Sequence, residues 1–197
     1  MVNEIFKGKR IGFAMTGSFC TFDRCFRQAE QLKLMGAEII PIMSENTAKL
    51  STRFGTNVEN IARLNDISGH EVIMSIADAE PIGPKNMTDI MIVAPCTSNT
   101  LAKLTNGITD GTVTMAVKSH LRSGKPVLLA IASNDSLLAS AKNLGELFNR
   151  KNYYFVPMLQ DDIDKKPASL VAEFEMIPEA VEAAFNGIQL RPIIYSK

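Results

Sequence analysis

The chain has 197 residues, 46% hydrophobic and 21% charged, with 21 basic residues against 21 acidic ones. That length suits a single domain burying roughly two-thirds of its unfolded surface, and the balanced charge excludes bulk electrostatic binding to nucleic acid or a membrane surface. Three cysteines make no disulfide framework, residues 1–10 hold no apolar core of signal-peptide length, and no run reaches the roughly 18 apolar residues of a membrane span, so a reducing cytoplasm is expected.

Strand-like and helix-like segments then alternate. Residues 10–15 form a short apolar strand ending in Thr16-Gly17-Ser18. Phe22, Phe26, Ala29, Leu32 and Met35 recur at helical spacing until Gly36. A second strand covers 39–43 and ends at Ser44. A helix runs from about Val58 to Ile67 and stops near Gly69. A third, short strand is expected near 72–74, and the prolines of Asp78-Ala79-Glu80-Pro81-Ile82-Gly83-Pro84 predict a loop. Residues 89–94 read as a buried strand, followed by helices over 98–104 and 112–121. Another strand, 126–131, ends at Ser133-Asn134-Asp135; a helix over 136–149 and a last strand over 153–156 follow.

From Pro167 the pattern changes. Leu170, Val171, Phe174, Ile177, Val181, Ala184 and Phe185 form one helical stripe, with Pro178 as a kink or a new first turn. Residues 167–197 are thus expected to be a C-terminal helix and tail serving self-association, with packing on the chain's own sheet as the alternative. Alternating strands and helices predict an α/β fold: a doubly wound, mainly parallel, Rossmann-like (flavodoxin-like) sheet flanked by helices, in one domain over 1–197.

Parallel strands point the same way, so four strand ends share one rim: Thr16-Gly17-Ser18, Ser44-Glu45-Asn46, Pro95 to Thr100, and Ser133-Asn134-Asp135. In open α/β sheets ligands bind outside the carboxyl ends of strands, and helix starts offer N–H groups to anions. Each loop alone can be read as helix capping; four together point to a ligand. Gly12 to Ser18 has the glycine spacing of a Walker loop, but no Lys-Ser/Thr pair follows Gly17. No G-x-G-x-x-G opens the first helix either. A single phosphate, such as that of FMN, fits better than a nucleoside triphosphate or a dinucleotide.

Thr16-Gly17-Ser18 and Ala94-Pro95-Cys96-Thr97-Ser98-Asn99-Thr100, with their continuation to Asp110, resemble the flavoprotein family of homo-oligomeric FMN-containing cysteine decarboxylases, which includes the prenyl-flavin synthases. More narrowly, Thr52-Arg53-Phe54-Gly55, residues 78–84, Gln160-Asp161-Asp162 and residues 166–172 are similar to the dipicolinate synthase B subunits of endospore-forming bacteria. The resemblance implies FMN at a subunit interface of a trimer or dodecamer. It gives the phosphate to Gly17 and Ser18, with Ser44, Thr97, Asn99, Thr100, Ser133 and Asn134 around ring and ribityl chain. It implies oxidation of dihydrodipicolinate to dipicolinate beside an A subunit that binds a nicotinamide cofactor, NADP.

Some residues carry two readings. Arg53 is a candidate for pairing a substrate carboxylate, or forms a solvated or intersubunit salt bridge. Lys103, near one turn into the helix after the binding loop, faces the ligand or is an inert surface lysine. Glu80 is a candidate base, or part of a structural proline loop. Cys96 sits near a helix start, where a thiolate is favoured; packing beneath the ligand is preferred. The cysteine decarboxylases place a histidine shortly before the A-P loop, where this chain has Glu80-Pro81. His70 and His120 read as structural or solvent-facing, and no metal site is expected. The remaining alternatives are a decarboxylase or prenyl-flavin synthase-like enzyme, and a non-catalytic partner that stabilises the A subunit.

Overall fold

The computed structural model describes residues 4–195. Its centre is a parallel sheet of β1 (Arg10–Met15), β2 (Glu38–Met43), β3 (Ile90–Cys96), β4 (Val127–Ser133) and β5 (Tyr153–Phe155), in the order β2-β1-β3-β4, with β5 beside the first half of β4. All seven residues of β3 and the last five of β1 are buried, as continuous apolar runs require when helices cover both faces of a parallel sheet. One face packs against α1 (Phe22–Leu34), α3 (Asn57–Ser68) and α8 (Ile177–Phe185). The other packs against α5 (Ser98–Asn106), α6 (Thr112–Leu121) and α7 (Ala141–Phe148). Strand order reverses between β1 and β3, the switch point of a doubly wound sheet.

Several predicted elements are corrected. Residues 72–74 form no strand: only Ile73 bridges Ile42, its N–H donating to the Pro41 carbonyl at 2.9 Å. Val72 is buried there but Met74 is exposed, so the segment lacks the apolar run an inner strand needs. The expected loop at 78–84 is helical, with α4 (Ile76–Ala79) leading into a 3₁₀ turn at Glu80–Ile82. Ser75 caps α4 by accepting the Asp78 N–H at 3.1 Å, Pro81 occupies a first-turn position, and Ala79 and Ile82 are buried. A short helix not anticipated, α2 (Glu45–Lys49), starts at Ser44, whose hydroxyl accepts the Thr47 N–H at 3.3 Å. The helix expected from 136 begins only at Ala141, after a turn.

The C-terminal stripe divides. Leu170–Ala172 is a strand, β7, pairing antiparallel with the end of β4 and with β6 (Met158–Leu159). A 3₁₀ turn follows at Phe174–Met176, and Pro178 lies in the first turn of α8. Ile177, Val181 and Ala184 are buried in the core on the chain's own sheet. This stripe therefore covers the sheet and is not free for self-association.

Candidate functional site

The carboxyl ends of β1 and β3 are joined through one side chain. Thr16 is buried; its hydroxyl donates to the Pro95 carbonyl at 2.7 Å and accepts the Thr97 N–H at 3.1 Å. The Ala94–Pro95 peptide is cis, and the register of β3 against β4 shifts between Val93 and Cys96. The chain then leaves β3 into α5 at Ser98 and leaves β1 through a 3₁₀ turn at Phe19–Thr21 into α1. Two helical entries thus flank the crevice; at the first, the Thr21 and Phe22 N–H groups are already bonded to the Ser18 and Phe19 carbonyls.

The crevice opens into two adjoining cavities. The larger, 950 Å³, is lined by Gly17, Ser18, Arg53, Thr97, Asn99, Ser133 and Asn134. The smaller, 380 Å³, is lined by Thr16, Ser44, Thr100 and Lys103, and shares Gly17, Thr97 and Asn99 with the larger. A Cβ on Gly17 would meet only the Phe19 ring, at 3.6 Å. The missing side chain therefore keeps the cavity open rather than relieving a clash. Gly12, the first glycine of the Walker-like spacing, lies inside β1, where a Cβ would come within 2.8 Å of the Met91 thioether. It serves strand packing, not a phosphate loop.

Arg53 sits on a tight turn closed by the Thr52 and Gly55 backbones, its guanidinium 4.8 Å from the Phe54 ring centre. No carboxylate pairs with it among the described residues. Lys103 pairs with Asp110 at 2.8 Å beside the smaller cavity, holding the Asp110 carboxyl below its ordinary value.

Three candidates lie elsewhere. The Cys96 side chain is buried and lines neither cavity, and burial pushes its thiol up to about 12, so it packs as an apolar residue and does not form a thiolate. Pro95 is buried and contributes its carbonyl to Thr16. Glu80 is exposed, its carbonyl accepting from the hydroxyl of Ser119 near the end of α6. That end of α6 leads to the start of β4, so Glu80 lies at the opposite edge of the sheet from the rim. It comes shortly ahead of the binding loop in sequence, yet the whole length of β3 lies between them. Neither histidine lines a cavity. His70 sits 3.2 Å from Glu38 in a turn, and His120 is buried between the Thr88 hydroxyl and the Pro126 carbonyl.

Other residues at the site carry no individual sequence signal, although Glu45 and Asp135 fall inside rim loops and Asp161 and Lys166 inside segments of resemblance. Lys166 and Asp161, paired at 2.6 Å, line the larger cavity with Arg24, whose guanidinium holds Glu173 and Glu175. Glu45 accepts the Thr112 N–H at 2.7 Å and its hydroxyl at 2.8 Å, filling the start of α6 with a carboxylate of the chain itself. Behind the larger cavity, Asp135 gathers hydroxyls. Ser133 donates to its Oδ1 at 2.6 Å, Ser98 donates to the same oxygen, and Ser140 donates to Oδ2 at 3.1 Å. The hydroxyls of Ser133 and Ser98 hold the Asp135 carboxyl below its ordinary value.

Fold and rim together define a doubly wound α/β protein with a polar crevice at its switch point. The family described as Flavoprotein matches residues 2–185, and the chain belongs to that family. Over 188 residues, 95% of this chain and 94% of the relative, it is 45% identical to the dipicolinate synthase B subunit of Bacillus subtilis (strain 168). The crystal structure of the dipicolinate synthase B subunit from Bacillus halodurans superposes with a TM-score of 0.90 at 40% identity, covering 98% of each chain. An FMN-dependent cysteine decarboxylase, SpaF, shares the fold at a TM-score of 0.69 and 18% identity, over 92% of this chain and 98% of that one. No helix among the described residues is long and apolar enough to cross a membrane.

Proposed function

We propose that this chain works as the B subunit of a dipicolinate synthase, binding FMN in the switch-point cavity. With an A subunit that brings NADP, it takes part in oxidising dihydrodipicolinate to dipicolinate in the cytoplasm during sporulation. The observation that carries this reading is the convergence of Ser18, Asn99 and Ser133 on one cavity beside a helical entry.

The residues present suit that cofactor. A volume of 950 Å³ is within the range of sites that bury most of a ligand of this size. The polar lining is hydroxyl, amide and backbone N–H, able to donate and to accept, which suits a monophosphate, a polyol and a planar imide. Gly17 and Ser18 hold the phosphate at the entry to α1, with Ser44, Thr97, Thr100, Asn99, Ser133 and Asn134 along the remainder. FMN, when bound, supplies an acceptor for two electrons.

Oxidation of a dihydropyridine dicarboxylate removes a hydride and a proton, and the ring becomes aromatic. The chain's own part is to bind and orient. Arg53, unpaired among the described residues at the cavity mouth, takes a substrate carboxylate as a planar fork. Lys103 borders the smaller cavity as an ion pair with Asp110, so it meets a substrate carboxylate only by exchanging that partner. The cavity carboxylate Asp161 is committed to Lys166, so the released proton passes to water at the open mouth. No histidine reaches the cavity, which disfavours a decarboxylase of the histidine-dependent kind. Assembly as a homo-oligomer, trimer or dodecamer, belongs to the same proposal.

The test combines both subunits with dihydrodipicolinate, with and without FMN, and follows the ultraviolet absorbance of the aromatic product. Faster product formation with this chain and FMN together is the expected result. Equal rates with the A subunit alone would leave this chain without a part in the chemistry. A chain that neither co-purifies with flavin nor quenches FMN fluorescence would remove the cofactor reading.

A further inference from the structure

The inner wall of the larger cavity has a chemical polarity set from behind. Ser98, at the first position of α5, and Ser133, at the end of β4, both line the cavity, and both donate to the same oxygen of Asp135. The two hydroxyls also lie within reach of each other, but an ionised carboxylate is the stronger acceptor. A serine hydroxyl has one proton and two lone pairs. The carboxylate accepts only, so each hydroxyl spends its proton on Asp135 and leaves lone pairs for anything in the cavity. Ser140 holds the second carboxylate oxygen at 3.1 Å, and the Asp135 N–H donates to the Ser133 hydroxyl at 3.2 Å. The carboxylate is thereby fixed on both oxygens and cannot turn away from the wall.

We propose that Asp135 is a positioning residue that makes this wall a hydrogen-bond acceptor, selecting a ligand edge of N–H or O–H donors and rejecting an anionic one. Imide N–H groups and polyol hydroxyls are the ligand chemistry that fits. Phosphate and carboxylate groups are left to the rest of the lining, which includes Ser18 and Arg53. The wall thus sets which way round an amphiphilic ligand enters. Only the choice of FMN as probe rests on the function proposed above; the polarity of the wall does not.

The test is isothermal titration of the full-length chain with FMN and, separately, with inorganic phosphate. Asp135→Ala removes the shared acceptor: one serine can then donate to the other, and the remaining hydroxyl proton is free to turn toward the cavity. FMN affinity is expected to fall at least tenfold and phosphate affinity to rise at least threefold. Asp135→Asn keeps a carbonyl oxygen toward the two serines and can donate its amide to Ser140, so it should stay within threefold of the parent for FMN. An Asp135→Ala chain that binds FMN within twofold of the parent overturns the proposal. So does an Asp135→Asn chain that loses as much as the alanine variant, because charge and not hydroxyl direction would then be the cause. Should the parent itself bind no FMN, the cofactor reading falls, and the phosphate titration decides alone: no gain for Asp135→Ala overturns the wall's polarity. If circular dichroism shows Asp135→Ala unfolded, Ser98→Ala replaces it, with an expected three- to tenfold loss of FMN affinity, about what one net hydrogen bond supplies. An unchanged affinity there overturns the proposal equally.

Discussion

The Thr16 hydroxyl at the end of β1 accepts the backbone N–H of Thr97, 81 positions later, at 3.1 Å, and hands its own proton to the Pro95 carbonyl at 2.7 Å. One buried side chain thereby ties the two loops that flank the switch point. Thr16→Val keeps the shape and removes both bonds, leaving a buried carbonyl and a part-buried N–H without this partner. The expected loss is about 2 kcal/mol in urea unfolding, the scale of orphaned buried polar groups. Wild-type stability in that variant would show that the loops are held by other contacts.

The three cysteines differ sharply in access. Cys20 is exposed and lines the larger cavity, whereas Cys25 and Cys96 are buried and burial raises both thiols. A thiol-alkylating reagent should add one group to the native chain, at Cys20, and three in urea, counted by intact mass. Bound FMN should slow the native reaction at least fivefold. Labelling of Cys96 in the native state would contradict the packing of the loop after β3.

Much of this architecture could be read in the chain because the inner strands are buried on both faces and therefore spell continuous apolar runs. Helix ends were legible where the backbone turns left-handed, as at Gly36 with φ +93° and Gly69 with φ +79°. The segment Leu170–Ala172 misled because Leu170, Val171 and Phe174 fit a helical stripe and a strand equally well. What decides is the free edge of β4 beyond β5, a tertiary fact invisible in local spacing. The rim residues were legible as strand ends. Arg24 and Lys166 were not, since they reach the same cavity from the first turn of α1 and from a distant loop. Glu80 shows the converse error, nearness in sequence without nearness in space.

Gly83 marks the closest approach of backbone to backbone among the glycines. A Cβ there would lie 2.0 Å from the Ser119 carbonyl oxygen, and the Gly83 N–H donates to the Ser119 hydroxyl at 2.8 Å. Main chain cannot swing aside as a flexible side chain does, so the 3₁₀ turn and α6 must part. Gly83→Ala is expected to cost about 3 kcal/mol, at the upper end of ordinary overpacking, read as a lowered Tm. A Tm within about 2 °C of wild type would count against this contact, since a loss of that size shifts Tm by more.

Arg53 tests the substrate side without touching the fold. It is exposed, and its only close aromatic neighbour among the described residues is Phe54, so Arg53→Ala should leave Tm unchanged. In the mixed-subunit assay KM for dihydrodipicolinate should rise about tenfold, the loss of one charge-assisted pair, with FMN affinity unaltered. Arg53→Lys should recover only part, because an ammonium cannot present a planar fork. A KM that ignores both variants would move substrate recognition elsewhere.

His120 gives the pH dependence of stability a definite sign. Its Nε2 lies 2.9 Å from the Pro126 carbonyl, which can only accept, so Nε2 carries the proton and Nδ1 accepts from the Thr88 hydroxyl at 2.8 Å. Burial disfavours the imidazolium and pulls the pKa down to about 4 from 6.5, against the opposing pull of the Pro126 carbonyl. Between those values the unfolded chain binds the proton and the folded chain does not, so stability rises with pH and is lost as pH falls. From pH 7 to pH 5 the loss expected from this residue is about 2 kcal/mol. Asp89 adds nothing in that window. Burial would raise its carboxyl, but the Arg10 N–H and guanidinium and the Lys125 ammonium hold it at about 2, so its contribution is lost only as pH falls from 3.8 toward 2. Urea unfolding at pH 7 and pH 5, for the parent and for His120→Gln, isolates the histidine: the variant starts less stable but should lose about 2 kcal/mol less across the interval. Equal losses in the two chains would mean that His120 takes up its proton without unfolding.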